Sequence, residues 1–517
     1  MPEEFLESPL DSELAATVEP FDEHNRTLVD NVHPLDWTNP KPADRYHLVV
    51  IGGGTAGLVS AAAAAGLGAR VALVERRLLG GDCLNYGCVP SKALVSAARA
   101  WHSASEGASR FGAPAVSRDG RFEAVMERMR RLRAQISHHD SASRFRDLGV
   151  DVFIGEGRFV ASDAVEVDAV RLEFRRAVIA TGARPMDLPI PGLAESGYLT
   201  NETVFTLTSL PPRLAVIGAG PIGCELAQAF ARFGSSVTTF DIAPQVLIRE
   251  DADAAAIVQQ ALVRDDVGLE LGATIQHVER QADTTSVRFT RDDGTAHESV
   301  FDELLLAVGR TPNVEAMGLD VAQVTVSRHG VEVDDRLRTS NRRIYAVGDV
   351  ASKYKFTHVA DALARIAVQN ALFFGRKKAS DLVIPWCTYT DPEIAHVGLS
   401  ASEATQLGHE IETMTIPLQD IDRAILDSAD DGFLRLQIAR GKDRILGATL
   451  VAPHAGDLLA ELCLAVTHRI GLAKISKTIH PYPTQAEIIK KAGDTWMRGR
   501  LTPIVKRVLE LFFSIVR

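Results

Sequence analysis

Cysteine is scarce in this chain, with five among 517 residues, which excludes the disulfide framework of a small secreted protein. Excess positive charge is missing too. The formal net charge is −11, and a protein whose whole surface grips phosphates would need a basic face. No apolar run approaches the length that spans a bilayer. Met1 to Glu4 are acidic and lack a basic n-region with an apolar core, so no signal peptide is expected and the cytoplasm is the expected address. What remains is a globular composition, 46% apolar and 24% charged, on a chain long enough for three or more domains.

Two of the five cysteines carry the most information. Gly80-Gly81-Asp82-Cys83-Leu84-Asn85-Tyr86-Gly87-Cys88-Val89-Pro90-Ser91-Lys92 holds a pair separated by four residues. Zinc knuckles usually have two or three intervening residues and a second ligand pair. Here Cys224, Cys387 and Cys463 are scattered singly, so a redox pair is the favoured reading and no metal set is expected. Just upstream, Tyr46 to Ile51 reads as a strand, Gly52 to Gly57 as a tight turn and Leu58 to Leu67 as an alanine-rich helix. Arg70 to Glu75 is the next strand. Gly52, Gly54 and Gly57 are the glycines of a dinucleotide fingerprint, which lets a pyrophosphate approach the backbone at a helix N-terminus.

The pattern repeats. Leu214 to Ile217 leads into Gly218, Gly220 and Gly223, a helix through Phe233 and a strand Ser236 to Asp241. Glu75 follows Gly57 by the same interval as Asp241 follows Gly223, and each acid is placed to accept ribose hydroxyls. Two such folds imply two nucleotides, a flavin (FAD) and a nicotinamide. Asp241 is followed by Ile242-Ala243-Pro244-Gln245, without Arg or Lys. NADH is therefore expected over NADPH, whose 2′-phosphate needs a cation.

Elsewhere, residues 1–44 are polar and proline-punctuated and are expected to form an arm on the surface. Arg121 to Leu148 reads as helical and basic, Leu304 to Gly309 and Ile344 to Asp349 as buried strands, and the region beyond about 380 as an antiparallel sheet with helices.

Together these motifs resemble the class I pyridine nucleotide-disulfide oxidoreductases, the family of dihydrolipoyl dehydrogenase, glutathione reductase and mercuric reductase, and are most similar to its mercuric-reductase-like branch. The resemblance runs from about Tyr46 to Trp496. It rests on the two fingerprints, Cys83/Cys88, Ala180-Thr181-Gly182, Glu225, Ala307-Val308-Gly309-Arg310, Tyr345 to Asp349, and Thr390-Asp391-Pro392-Glu393. It implies an α/β fold with two Rossmann-like domains and a C-terminal α+β dimerisation domain. The boundaries expected are an arm (1–44), an FAD domain (45–195 and 318–380), an NAD(P) domain (196–317), a dimerisation domain (381–496) and an apolar, basic C-terminal helix (497–517).

The resemblance also implies roles. Cys88 would be the thiolate under the flavin ring and Cys83 the thiol that meets the acceptor. Lys92 would approach the flavin and pair with Glu225. Glu75 would hold the adenosine ribose, Asp349 the ribityl chain, and Thr181, Gly182 and Gly309 would lie along the cofactors. A homodimer is implied, with the acid/base of one subunit facing Cys83 of the other.

The acid/base segment departs from the disulfide reductases, which carry His-Pro-Thr-x-x-Glu. Here it reads His480-Pro481-Tyr482-Pro483-Thr484-Gln485-Ala486-Glu487. Anchoring on Pro483-Thr484 and Glu487 puts Tyr482 in the base position, as in mercuric reductases; His480, two residues upstream, is the competing candidate. A phenol is a poor base at neutral pH beside an imidazole. The tail also departs, since mercuric reductases end in a vicinal cysteine pair and Leu509 to Arg517 has none. The acceptor thus stays open between a metal ion and a small-molecule disulfide. A membrane-tethered redox sensor is a further alternative. Thr502-Pro503 is a plausible helix start, and Ile504, Val508, Leu511, Phe512 and Ile515 follow helical spacing beside Lys506 and Arg507. Such a helix would pack on the dimer or on the N-terminal arm, or else lie on a membrane surface.

Overall fold

A computed structural model describes residues 12–114 and 120–516. They divide into two compact units; the second comprises Ala243–Asp266, everything from Leu382 onward and the short segment 106–114.

The first unit is built on two parallel sheets. In the larger, Val150–Ile154, Val71–Glu75, Tyr46–Ile51 and Val170–Ile179 lie side by side in that order, all parallel. Leu48, Val49 and Val50 are fully buried, because a parallel strand covered on both faces needs an unbroken apolar run. Ile344–Ala346 adds itself in parallel to Val170–Ile179. The chain thus returns to the first sheet after the second nucleotide fold. Two antiparallel strands, Ala164–Val167 and Gly157–Ala161, extend the other end of Val170–Ile179.

The second parallel sheet has the order Gly268–Leu271, Ser236–Asp241, Arg213–Ile217, Glu303–Leu306. A three-stranded antiparallel sheet, Thr274–Gln281, Thr284–Thr290 and Ala296–Phe301, accompanies it. In both parallel sheets the glycine turns sit at the carboxyl ends of the strands, where doubly wound folds take their ligands.

Residues 1–11 of the arm lie outside the described residues; of the rest, one helix is only half on the surface. That helix, Glu23–Val32, is capped by Asp22, which accepts from Asn25 N at 2.9 Å. The face with Leu28, Val29 and Val32 is fully buried, and the helix packs on Phe122–Ser137. The polarity of the arm misleads because its polar groups find partners inside. Asn25 is itself completely buried. It donates to Val18 O and Pro20 O, and accepts at 2.7 Å from Arg133, another buried residue.

In the second unit, five antiparallel strands run in the order Pro385–Thr388, Glu393–Gly398, Ile445–Ala452, Phe433–Ala439, Ile411–Pro417. The helix Ala455–Thr467 packs on this sheet through Leu459 and Leu462, and Glu487–Gly499 adds Ile488, Ile489 and Ala492 to the same core. Thr502 caps the last helix, Pro503–Ile515, by accepting from Val505 N, with Pro503 in its first turn. No residue of that helix is buried.

Candidate functional site

The two glycine turns match in geometry. Gly52 has φ +104° and Gly218 φ +112°, where a side chain is strained. A Cβ on Gly57 would lie 1.7 Å from Gly52 O, and one on Gly223 would lie 1.8 Å from Gly218 O. Only glycine lets strand and helix approach so closely. Gly54 and Gly220 are the N-caps of Thr55–Gly66 and Pro221–Phe233, so the free N–H groups of both helices open onto the turns. Glu75 accepts from Gly53 N at 2.5 Å and from Arg77 N at 2.7 Å, and its burial raises its pKa. Asp241 accepts from Ala219 N at 2.7 Å. Two cradles of this form, each with a carboxylate at the next strand end, fit FAD and a nicotinamide dinucleotide.

Thr181 donates to Asn313 O at 2.7 Å beside Gly182, whose φ is +69°; Gly309 has φ +53°. Asp349 lies 3.8 Å from Arg310; burial raises its pKa against the pull of Arg310 and Lys355.

Cys83 sits in the short helix Gly81–Asn85, and Cys88 opens the long helix Cys88–Phe111. Both thiols are free. Cys88 Sγ lies 3.3 Å from Thr357 Oγ1. The hydrogen bond from Cys83 pulls the Cys88 pKa down, helped by Thr357 and the Lys92 ammonium and opposed by burial. Cys83 moves the other way, raised by that same hydrogen bond, by burial and by repulsion from Cys88. Of the two, Cys88 is thus the thiol that gives up its proton more readily. Lys92 Nζ donates to Glu225 Oε2 at 2.7 Å, and Glu225 is buried. Cys224, next to it, is a fully buried packing residue whose thiol donates to Ala219 O.

Several neighbours escaped the sequence reading. Arg310 Nη2 lies 3.0 Å from Asp82, the residue before Cys83, and donates to Ala183 O at 2.7 Å. Asn201 donates to the same Asp82 oxygen at 2.9 Å. Arg310 was visible as part of a motif, but its partners were not. Thr357 had no local signal, being 269 residues from Cys88.

The acid/base candidates lie in the second unit, where Tyr482 and Glu487 share no hydrogen bond. Tyr482 is exposed and donates to Asp422 at 3.0 Å, a bond that raises its pKa. Glu487 Oε2 is buried with no hydrogen-bond partner among the described residues. His480 does not reach Glu487 either: its Nε2 lies 3.1 Å from both oxygens of Glu461, and its Nδ1 lies 3.1 Å from Thr478 O. The anchoring motif read the spacing but not these two carboxylates, which come from elsewhere in the chain.

Comparison with known proteins agrees with this geometry. The family described as pyridine nucleotide-disulphide oxidoreductase matches residues 46–364, and its dimerisation domain matches residues 384–493. Among relatives, a mercuric reductase of Lysinibacillus sphaericus is 32% identical over 96% of this chain and 91% of its own. A dihydrolipoyl dehydrogenase of Bacillus subtilis (strain 168) is 30% identical over 87% and 98%. Among solved structures, LpdA from Mycobacterium tuberculosis superposes with a TM-score of 0.79 at 27% identity, covering 88% of this chain and all of that one. The Cu(II) complex of the HOCl-induced flavoprotein disulfide reductase RclA from Escherichia coli gives 0.77 at 27%, covering 86% and 98%. The chain belongs to the pyridine nucleotide-disulphide oxidoreductase family.

Proposed function

We propose that this protein is an NADH-dependent cytoplasmic flavoenzyme whose Cys83–Cys88 pair delivers electrons to a thiophilic metal ion, in the manner for which its mercuric reductase relatives are named. The family is FAD-dependent, uses a pyridine nucleotide and carries a dimerisation domain, which supports a homodimer. The absence of Arg or Lys in residues 242–245 after Asp241 supports NADH.

FAD, when bound, supplies the two-electron relay between nicotinamide and disulfide. Glu75 and the turn Gly52 to Gly57 would hold its adenosine and pyrophosphate, Asp349 its ribityl chain, and Lys92, fixed by Glu225, would set a positive charge beside the ring. Two electrons and one proton open the Cys83–Cys88 disulfide to a Cys83 thiol and a Cys88 thiolate. The pair then binds a divalent soft ion and releases the Cys83 proton. Two electrons pass to the ion and the disulfide re-forms.

The observation that carries the metal-ion reading is the acid/base segment. A departing thiolate must be protonated, so disulfide reduction needs a proton donor such as imidazolium, available near neutral pH. A reduced metal ion takes no proton. The hydrogen bond to Asp422 makes Tyr482 hold its proton more firmly than an ordinary phenol, so it is a poor proton donor and offers little phenolate to act as a base, and Glu487 supports no imidazole. The second reading, a disulfide reductase of the dihydrolipoyl dehydrogenase type, is supported by His480 and Glu461, an imidazole–carboxylate pair able to carry a proton. Peripheral contact with an anionic lipid surface is supported by the exposed helix Pro503–Ile515 with Lys506 and Arg507.

The test is NADH oxidation by the purified holoprotein with Hg(II), Cu(II), lipoamide, glutathione disulfide and quinones. Turnover with the metal ions is expected, together with its loss in Cys83→Ser and Cys88→Ser while NADH still bleaches the flavin. Turnover with lipoamide alone, lost in His480→Ala, would overturn the metal reading in favour of the second.

A further inference from the structure

The parallel strands that carry the nucleotide turns at their carboxyl ends carry a second feature at their amino ends. Tyr46–Ile51, Val170–Ile179 and Ile344–Ala346 run the same way, with Leu48 level with Arg176 and Ile344 level with Ala177. Their start sides bring together Arg45, Tyr46, His47, Arg175, Arg176 and Arg343, which line a cavity of about 590 Å³. At about 3.3 Å per residue, it lies roughly 15 Å along the strands from the Gly52 and Gly182 turns. It is therefore separate from the first nucleotide cradle, and none of its lining residues belongs to the sheet that carries the second.

Four guanidinium groups and an imidazole face one cavity in a chain whose net charge is −11. The carboxylate that ion-pairs with them is Asp163, 3.7 Å from Arg45 and 3.9 Å from Arg343 and itself part-exposed. Among the described residues no carboxylate pairs with Arg175 or Arg176. Arg45 donates to Phe174 O at 3.2 Å, and Arg176 Nη1 to Arg175 O at 3.0 Å. The Nε of Arg176 is buried with no hydrogen-bond partner. Like charges gathered this closely repel one another, and a bound anion relieves the repulsion.

We propose that this cavity is a binding site for a small polyphosphate anion, free or carried by a nucleotide. Every non-histidine cation there is Arg, whose planar fork grips phosphate oxygens two at a time, where Lys acts as a point charge. The volume lies in the range of small-ligand sites, and the patch is too small to track a nucleic-acid backbone.

The experiment is isothermal titration of the FAD-loaded protein, with saturating NAD⁺ present to fill the nicotinamide site. Sodium triphosphate, ATP and inorganic phosphate are titrated at low salt. Triphosphate is expected to bind saturably at one site per chain, more tightly than monophosphate. Arg175→Ala/Arg343→Ala should weaken it about tenfold or more while leaving flavin content and NADH oxidation unchanged. Should the double variant fold poorly, exposed Arg175→Gln alone should still weaken binding several-fold. Equal affinity for ATP and triphosphate assigns recognition to the phosphates; tighter ATP adds the nucleoside to the same site. No saturable heat, unchanged binding in both variants, or tighter binding of a short oligonucleotide than of triphosphate would each overturn the proposal.

Discussion

The two ends of the described chain invert the simplest rule of burial. The arm around Glu23–Val32 is polar by composition, yet Leu28, Val29, Val32 and Asn25 are fully enclosed. The helix Pro503–Ile515 is mostly apolar, yet Ile504 is 76% and Ile515 75% exposed. Burial follows the availability of partners more than residue type. The arm meets Phe122–Ser137, which offers Arg130 to Asp22 at 2.6 Å and Arg133 to Asn25 at 2.7 Å. Arg133 Nη1 in turn donates at 2.7 Å to Asn85 O, between the two redox cysteines. Thr17 lies 3.2 Å from the hydroxyl of Tyr86, also between them. The arm is thereby tied to the redox loop, whereas the terminal helix has no covering element within its own unit.

The strongest way to break this contrast is to place the same charge in each helix. Leu28→Asp should cost about 4 kcal/mol or more, because the carboxylate enters an apolar, fully buried position. Loss of soluble, yellow protein is the readout. Leu511→Asp should leave yield and unfolding midpoint nearly unchanged. If both variants are tolerated equally, the arm is a surface element after all.

A smaller effect is expected at Asn25→Ala, about 2–4 kcal/mol in denaturant unfolding, since the enclosed Arg133 charge loses its side-chain acceptor. Adding Arg133→Met should return part of that loss, because removing a buried charge with its partner is cheaper than stranding it. Absence of any recovery would show that the arm is held by apolar packing alone. Smaller again is Thr17→Val, about 1 kcal/mol, which removes the hydroxyl beside buried Tyr86. Its more telling readout is the NADH-dependent turnover rate, which falls if the arm steadies the redox loop.

What the sequence made legible was local. Strand, turn and helix at Gly52 and Gly218 announce themselves because each glycine answers a contact within a few residues, such as Gly57 against Gly52 O. The spacing of Cys83, Cys88 and Lys92 is likewise local. The contacts made between distant segments were not legible from spacing. Cys88 and Thr357 stand 269 residues apart, and Asn25 and Arg133 stand 108 apart. A lone Asn in a polar arm carries no mark that distinguishes a solvated side chain from the partner of a buried Arg. The Lys92–Glu225 contact was expected only because family resemblance supplied what periodicity does not. Tyr482 shows the limit of that help. The motif gave its alignment with Glu487, but the hydroxyl follows Asp422, a carboxylate outside the motif.

The smallest effect on stability separates the ends most sharply. Removing residues 502–517 should shift the unfolding midpoint by no more than about 0.5 kcal/mol equivalent, since no side chain of Pro503–Ile515 is buried. The same truncation should matter for association. Ile504, Val508, Leu511, Phe512 and Ile515 present apolar surface beside Lys506 and Arg507, so the intact protein should sediment with anionic vesicles and less so with neutral ones. The truncated protein should stay in the supernatant in both cases. If it instead loses its dimer at micromolar concentration while vesicle binding is unchanged, the helix is covered by a second copy of the chain. The apolar face would then obey the same rule as the arm, with its partner supplied by another subunit.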